Sequence, residues 1–200
     1  NFPINKDLFF FNESYKIDNL AIFMKTITII FGALILISSY TYIKYSNILK
    51  IEYPILILCS ILGMMVMISS YDLIVFYIGL ELQSLSLYVL AAFNRDKVSS
   101  SEAGLKFFVL SALSSGLLLY GCSLIYGFSG STNFILISEN ILTSADQNVF
   151  GLVFILVGLC FKISAVPFHM WAPDVYEGSP TPTTLLLASA PKLAAIAMTA

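Results

Sequence analysis

The stretch LIVFYIGLELQSLSLYVLAAF, residues 73–93, is a continuous apolar run with one carboxylate, Glu81, near its middle. Roughly 20 helical residues cross a hydrocarbon core about 30 Å thick, so this stretch predicts a transmembrane helix. Working outward, five further apolar runs predict the same structure, at about residues 20–43, 54–70, 103–128, 149–171 and 182–200. A transmembrane β-barrel would instead show shorter alternating segments of about ten residues. We predict an all-α, polytopic bundle of about six transmembrane helices over residues 20–200, preceded by a polar and aromatic segment at residues 1–19.

The composition supports a membrane protein, because 58% of the residues are hydrophobic and 11% are charged, with a mean hydropathy of +0.88. A soluble domain carries about 25% charged residues, so membrane lipids are the expected surroundings. The net charge is −2 and the sequence contains no run of basic residues, which argues against a nucleic-acid partner. Three cysteines, Cys59, Cys122 and Cys160, lie inside apolar runs without CxxC spacing and predict packing rather than a metal or redox site.

The basic residues indicate an orientation, since cytoplasmic loops carry an excess of Lys and Arg. The loops after the first and the third predicted span lie on the same side of the membrane, because two spans separate them. They hold four basic residues: Lys44, Lys50, Arg95 and Lys97. The loops at residues 71–72 and 129–148 contain none, so we expect them on the opposite side of the membrane. Two observations conflict with this topology. The loop with Asp174 and Glu177 should face the basic side but has no basic residue, and Lys6 and Lys16 fall on the other side, diluted by acidic neighbours.

Helix boundaries also have local signals. We expect Ser99 to Ser101 to cap the fourth helix and Gly130, with Gly127 and Ser129, to end it. The sixth helix should begin near Pro182, with Thr181 as its cap.

Four ionisable residues fall inside the predicted spans: Glu81, Lys162, Lys192 and, one turn inside the fourth helix, Lys106. A charge at the centre of a membrane helix costs on the order of 2.5 to 3.5 kcal/mol on insertion scales, so partners or water must offset that cost. Such residues are candidates for a proton path. Glu81 shares a helical face with three polar residues, Tyr77, Ser84 and Tyr88, and this polar stripe should point into the bundle.

The helix that carries Lys162 should be broken near Pro167, because proline lacks the N–H group that would bond to the carbonyl of Ile163. His169 follows that proline and is a possible proton carrier. Lys192 follows Pro191 and therefore also combines a lysine with a loosened backbone. Exposed carbonyl groups and small polar residues can order water, which would serve proton transfer.

Each candidate also has a purely structural interpretation. Glu81 and Lys162 could form a static ion pair, and Lys106 could form an ordinary i to i+4 pair with Glu102. Lys192 could reach a membrane interface, and His169 could be an interfacial hydrogen-bonding residue. Asp174 and Glu177 are expected to be solvated loop carboxylates or caps, without a chemical role.

Several motifs resemble one known family. They are YDLI at residues 71–74, GLELQSL at 79–85, SEAGLK at 101–106, FKISAVPFHMWAPDVYEGSPTP at 161–182 and APK at 190–192. These segments are similar to those of the subunit 2 family of NADH dehydrogenase, an antiporter-like component of the membrane arm of respiratory complex I. The residues before Tyr71 match only as generic apolar helices.

The resemblance implies a proton-translocating subunit in which Glu81 faces Lys162 on a broken helix and Lys192 continues a hydrophilic axis. It implies an NADH:ubiquinone oxidoreductase whose FMN, iron–sulfur clusters and ubiquinone lie elsewhere in the complex, with no cofactor in this chain. The implied partners are other complex I subunits, including the other antiporter-like ones. The motifs cover only the first inverted repeat, so we expect a fragment, or a second chain that supplies the C-terminal half.

Two other functions remain open at the level of the sequence. One is a subunit of an Mrp-type cation/proton antiporter, and the other is a structural membrane-arm scaffold without translocation. The Ile-, Phe- and Tyr-rich first half suggests the mitochondrial inner membrane as the location, with a bacterial inner membrane as the alternative.

Overall fold

The computed structural model describes residues 7–45, 51–143 and 145–199, and within these ranges the protein is a helical bundle with one short hairpin. Its elements are β1 (Leu8–Phe10), β2 (Tyr15–Ile17), α1 (Asn19–Tyr45), α2 (Glu52–Ile68), α3 (Leu73–Ala91), α4 (Val98–Ser129), α5 (Phe134–Thr143), α6 (Ala145–Ile163), α7 (Trp171–Gly178) and α8 (Thr181–Thr199). By length and composition, α1, α3 and α4 could each cross a membrane, and α2 and the Val149–Ile163 part of α6 are shorter apolar helices. The predicted all-α membrane bundle is confirmed.

The region between α4 and α7 differs from the expected spans in two places. The region at residues 149–171 is not one helix, because α6 ends at Ile163 and a non-helical segment follows as far as Met170. Pro167 disfavours helical backbone at the residue before it, and Ser164 already leaves the helix with a φ of 62°. The region at 129–148, which we expected to be a loop, contains α5.

The N-terminus of α4 also differs from the prediction. The helix begins at Val98 with Lys97 as its N-cap, which makes no side-chain capping bond. The predicted cap at Ser99 to Ser101 is wrong, because these serines already lie in the first turn, where the Ser100 hydroxyl donates to the carbonyl of Ala91 at 2.9 Å. The predicted end is confirmed: Gly130 follows the helix with a φ of 70° and donates its N–H to Tyr126 at 2.8 Å.

Glycines allow α2 and α3 to pack closely. A Cβ atom on Gly63 would lie 2.5 Å from the backbone nitrogen of Gln83, and one on Gly79 would lie 2.8 Å from that of Met67. Small residues at helix interfaces let the backbones approach in this way. This contact fixes the position of α3, which carries Glu81.

At one end of the bundle, the hairpin covers the turn between α2 and α3. β1 pairs antiparallel with β2, and the backbone N–H groups of Lys16 and Tyr71 donate to Ser69 and Ser14, both at 2.9 Å. The N–H of Leu73 donates to Thr132, also at 2.9 Å. The hairpin and the turns at 70–73 and 130–133 therefore share one end.

The charge of Lys16 at this end is neutralised locally, as its acidic neighbours suggested. Its Nζ lies 3.0 Å from Asp7 and 3.5 Å from Asp18, and the hydrogen bond to Asp7 raises the pKa of Lys16 above its ordinary value. Lys6 and Lys50, which entered the topology prediction, lie outside the described residues.

At the other end, α7 packs against the start of α4. A Cβ atom on Gly178 would lie 2.5 Å from the carbonyl oxygen of Ser99, and Lys106 of α4 forms an ion pair with Asp174 of α7 at 2.7 Å. The acidic segment therefore lies at the same end as the Arg95 loop, as parity predicted. The loop itself has no basic residue, and its Asp174 pairs with a lysine of α4, so the predicted orientation in the membrane stays a prediction.

Candidate functional site

The centre of the site is the side-chain ammonium of Lys162, in the last turn of α6. It donates three hydrogen bonds to neutral hydroxyl groups, of Ser111 at 2.7 Å, Ser84 at 3.0 Å and Tyr88 at 3.3 Å. Ser84 and Tyr88 come from α3 and Ser111 comes from α4, so three helices build this cluster, which we call the hydroxyl cluster. Tyr88 in turn donates to Ser111 at 2.7 Å.

Hydroxyl groups suit a lysine that changes its charge. An ammonium group has three donors and no acceptor, whereas a hydroxyl can both donate and accept by rotation. The hydroxyl cluster can therefore accept from a protonated Lys162 or donate to a neutral one. Both forms would keep hydrogen-bond partners, which matters because an unpaired buried polar group is costly.

Glu81 lies on the same face of α3, one turn before Ser84. Its carboxylate interacts electrostatically with Lys162, Tyr77 and Tyr88. Among the described residues it forms no direct ion pair, and its Oε1 is buried without a hydrogen-bond partner. The predicted polar stripe is therefore real, with Ser84 and Tyr88 buried and Glu81 partly buried. A static Glu81–Lys162 ion pair is not the observed arrangement.

Trp171, the first residue of α7, contacts the last turn of α6 across the break. Its indole Nε1–H donates to the carbonyl of Phe161 at 3.1 Å. The indole ring stacks on Phe107 and Phe161, with centroid separations of 4.7 and 5.7 Å. Trp171 thus satisfies a carbonyl group at the end of the helix and fixes the last turn, which carries Lys162.

Lys192 lies on α8, one residue after Pro191, which the helix accommodates in its interior. Its Nζ lies 5.6 Å from the ring centroid of Tyr176, and Tyr176 in turn packs edge-on against Trp171 at 6.1 Å. Aromatic contacts through Tyr176, Trp171 and Phe161 therefore connect Lys192 with the last turn of α6. The Tyr176 hydroxyl is buried without a hydrogen-bond partner, so it can donate to a water molecule on that side.

Lys106 is 41% exposed and pairs with two carboxylates, Asp174 at 2.7 Å and Glu102 at 2.9 Å. The i to i+4 pair with Glu102 was expected, but the second partner was not, because we had assigned Asp174 no role. The three residues line a polar cavity of about 360 Å³. The ion pairs account for the charge of Lys106, and its part in translocation stays a prediction.

His169 is exposed, in the segment between α6 and α7. It does not join the hydroxyl cluster, and its role as a proton carrier stays a prediction. The residue that sequence reasoning missed is Ser111. A signal was available, because α4 buries small polar residues at helical spacing, including Ser111, Ser114 and Ser115, and a buried serine stripe in an apolar helix marks a polar interior face.

Comparison with known proteins identifies the family of the chain. A sequence model of the family described as NADH:quinone oxidoreductase/Mrp antiporter, transmembrane, matches residues 70–200. The chain belongs to this family. The NADH:quinone oxidoreductase/Mrp antiporter family match covers α3, α4, α6 and α8, which carry the hydroxyl cluster and Lys192.

Within the family, this chain is 67% identical over 196 residues to NADH-quinone oxidoreductase subunit N of Pelagibacter ubique, covering 98% of the chain and 42% of that protein. Its fold is similar to that of a chain in respiratory complex I from Thermus thermophilus, with a TM-score of 0.77 and 31% identity over 97% of this chain and 42% of that one. It is also similar, at 23% identity and a TM-score of 0.73, to a chain of the Mrp complex from Dietzia sp., covering 85% and 32% of the two; at that identity the likeness concerns the fold. The chain spans about two fifths of the length of the curated relatives that it matches.

Proposed function

We propose that this member of the NADH:quinone oxidoreductase/Mrp antiporter family is a proton-translocating membrane-arm subunit of an NADH:quinone oxidoreductase, complex I. The observation that carries the proposal is the set of hydrogen-bond partners around the Lys162 side chain. A partly buried lysine at a helix break makes three hydrogen bonds to hydroxyls and, among the described residues, forms no ion pair with a carboxylate. Intramembrane ionisable residues mark proton and ion pathways, and this one has partners for both of its charge states.

In this function Lys162 holds and releases the proton, and Glu81 is the neighbouring carboxylate whose unpaired oxygen can take a proton or a water. Lys192 receives the proton beyond the aromatic residues around Trp171. The transfers are proton movements between side chains and ordered water. The redox steps belong to FMN, iron–sulfur clusters and ubiquinone in other subunits of the complex.

The proposed partners are other complex I subunits, including the other antiporter-like ones. A longer polypeptide or a second chain would supply the half of the antiporter-like fold that the relatives have beyond this chain. The proposed location is a bacterial inner membrane. The similarity to subunit N of Pelagibacter ubique and Maricaulis maris favours it over the mitochondrial location.

Neutralisation of single charges tests the proposal. Lys162→Met and Glu81→Gln should lower proton pumping and the coupled NADH:quinone activity, while blue-native gels show normal assembly. Lys97→Met, which removes an exposed charge from the loop before α4, is the matched control and should pump normally. Full pumping by an assembled Lys162→Met complex would contradict the proposal.

A subunit of an Mrp-type antiporter is the second candidate, because the family description covers both complexes. Affinity purification distinguishes the two. Association with flavin and iron–sulfur subunits supports complex I, whereas Na⁺/H⁺ exchange without those subunits supports the antiporter. A scaffold without translocation would show loss of assembly on deletion together with indifference to Lys162→Met.

A further inference from the structure

An open groove of about 740 Å³ lies between α2, α3 and α4, at the end of the bundle that holds the Arg95 loop. Most of its lining is apolar. Ile55 of α2, Val89 of α3 and Phe108 of α4 belong to that lining, and each of them is half-exposed. All three lie inside predicted spans, so the groove, which we call the α3 groove, is at the depth of the hydrocarbon core.

The outer rim of the α3 groove carries two exposed charges of opposite sign, Glu52 and Arg95. Glu52 lies in the first turn of α2, and Arg95 lies in the loop between α3 and α4. Because α2 and α4 begin and α3 ends at this rim, it lies at the level of the lipid headgroups. Among the described residues, neither side chain forms an ion pair, so both charges are available to a ligand.

A phospholipid with a zwitterionic headgroup complements this arrangement of charges. A guanidinium group such as that of Arg95 binds a phosphate through two parallel N–H donors, and basic pockets between membrane helices bind lipid headgroups. An ammonium group has three donors, which the Glu52 carboxylate can accept. The acyl chain of the same molecule would then enter the apolar part of the groove.

We propose that the α3 groove binds one phospholipid with a primary-amine headgroup, of the phosphatidylethanolamine type, with its phosphate on Arg95 and its ammonium group on Glu52. On α2 the lining reaches from Glu52 to Leu56, which is about 6 Å along the helix axis. The groove therefore holds the first methylene groups of one acyl chain. This proposal goes beyond the proposed function, because it concerns the binding of a lipid and not the movement of protons.

The preference among lipids must come from the two charges. Lipid tails are as apolar as leucine side chains, so the apolar lining does not distinguish one phospholipid from another. The quaternary ammonium of phosphatidylcholine has no N–H group and cannot donate a hydrogen bond to Glu52. Phosphatidylglycerol has a phosphate but no cation, so it would leave the Glu52 carboxylate unpaired. We therefore expect the groove to prefer phosphatidylethanolamine over both of these lipids.

Photo-crosslinking of the assembled complex tests this preference. A trace of phosphatidylethanolamine with a diazirine near the start of one acyl chain is added to the complex in phosphatidylcholine nanodiscs, and mass spectrometry measures the labelled peptides of this chain. Unlabelled phosphatidylethanolamine should compete for peptides with Ile55, Val89 or Phe108 roughly fivefold better than phosphatidylglycerol, the upper range for an exposed charge pair.

The lipid-facing side of α1 is the internal control. Leu34 is exposed there and lies outside the α3 groove, so both lipids should compete equally for its peptide. Equal competition in the α3 groove as well would overturn the proposal and indicate ordinary bilayer lipid. This measurement needs no variant, so a failure of a variant to assemble leaves it valid.

Three variants then test the two charges. Arg95→Met and Lys97→Met each remove one positive charge from the same loop, but only Arg95 lines the groove. Arg95→Met should lower labelling of the groove peptides roughly fivefold, and Lys97→Met should leave it unchanged. Glu52→Met should keep the labelling but remove the advantage of phosphatidylethanolamine over phosphatidylglycerol, which a merely structural role of Glu52 would not do.

Equal labelling of the groove in Arg95→Met and Lys97→Met would overturn the phosphate site. An undiminished preference for phosphatidylethanolamine in Glu52→Met would overturn the ammonium site. Labelling measures binding alone, so full pumping in Lys162→Met would refute the proposed function and leave the lipid site standing, whereas the labelling outcomes above decide the lipid site alone.

Discussion

The contact between α2 and α3 makes one glycine substitution informative, Gly79→Ala. An added Cβ would lie 2.8 Å from the backbone nitrogen of Met67 and 3.0 Å from the carbonyl oxygen of Gly63. Both obstacles are backbone atoms of α2, so no side chain can turn away to make room. The two helices must therefore move apart until the added Cβ is at an ordinary van der Waals distance from α2. Glu81, Ser84 and Tyr88 would move together with α3.

The magnitude follows from two opposing terms. Alanine is better than glycine in a helix interior by roughly 0.5–1 kcal/mol, whereas overpacking of a close contact costs about 1–3 kcal/mol. At Gly116 on α4, a Cβ would meet nothing within 4 Å, so only the first term applies. Gly116→Ala should therefore stabilise its helix slightly, and Gly79→Ala should destabilise the α2–α3 pair.

Hydrogen–deuterium exchange of the purified complex measures this difference locally. Since about 1.4 kcal/mol changes an equilibrium constant tenfold, peptides from Glu52–Ile68 and Leu73–Ala91 should exchange several-fold to a hundredfold faster in Gly79→Ala than in Gly116→Ala. Pumping should fall in Gly79→Ala only, because the hydroxyl cluster is displaced. Equal protection of α2 and α3 in the two variants would show that the close contact is not rigid and would refute the reasoning.

Three smaller changes test other parts of the structure. Trp171→Phe keeps the stacked ring but removes the hydrogen bond to the Phe161 carbonyl, so it should cost about 0.5–1.5 kcal/mol, measured as a lower melting temperature of the complex with faster exchange in α6. Asp72→Ala removes the side chain that caps α3 by accepting from the Ile74 N–H at 2.8 Å and that also accepts from the Thr132 hydroxyl. Loss of the cap should cost about 0.5–2 kcal/mol, seen as faster exchange in the first turn of α3 and in the turn at 130–133, and unchanged protection there would contradict it. Asp174→Asn breaks the exposed ion pair with Lys106 and should leave assembly on native gels intact, because Glu102 still pairs with the lysine; failure to assemble would show that the pair holds α7 in place.

The helices could be predicted from the sequence because hydrophobic length is a strong local signal. Pro167 predicts that the helix is broken, but it does not predict that the break at residues 164–170 starts directly after Ile163. The helix ends at Ile163, where Ser164 takes a φ of 62° and the Phe161 carbonyl accepts from Trp171. That hydrogen bond joins residues on opposite sides of the break, so the local sequence does not predict it. Helix α5 was missed because an apolar segment of ten residues gives a weak signal beside the longer spans.

For the site, the sequence identified the charges but not their partners. Glu81 and Lys162 stand out because a charge is costly in lipid, whereas a buried serine costs little, so the serine spacing on α4 was a weaker signal and Ser111 was missed. Partner choice also depends on how two helices are rotated about their axes. The closest partners of Lys162 turned out to be hydroxyls from α3 and α4, and Asp174 met Lys106 only because α7 folds back onto α4.

The position of Lys162 explains how this partly buried lysine is stabilised although, among the described residues, it forms no ion pair with a carboxylate. The break ends α6 at Ile163, so Lys162 lies in the last turn, where the negative end of the helix dipole stabilises a cation by about 0.3–1 kcal/mol and by up to ~2 kcal/mol in partly buried sites. Hydrogen bonds to a charged group contribute about 1.5–3 kcal/mol each. Against an insertion cost on the order of 2.5 to 3.5 kcal/mol, the dipole and the three hydroxyls are sufficient without Glu81. Removal of the Glu81 charge should therefore leave the lysine in place, which is why we expect Glu81→Gln to assemble normally and to fail only in pumping.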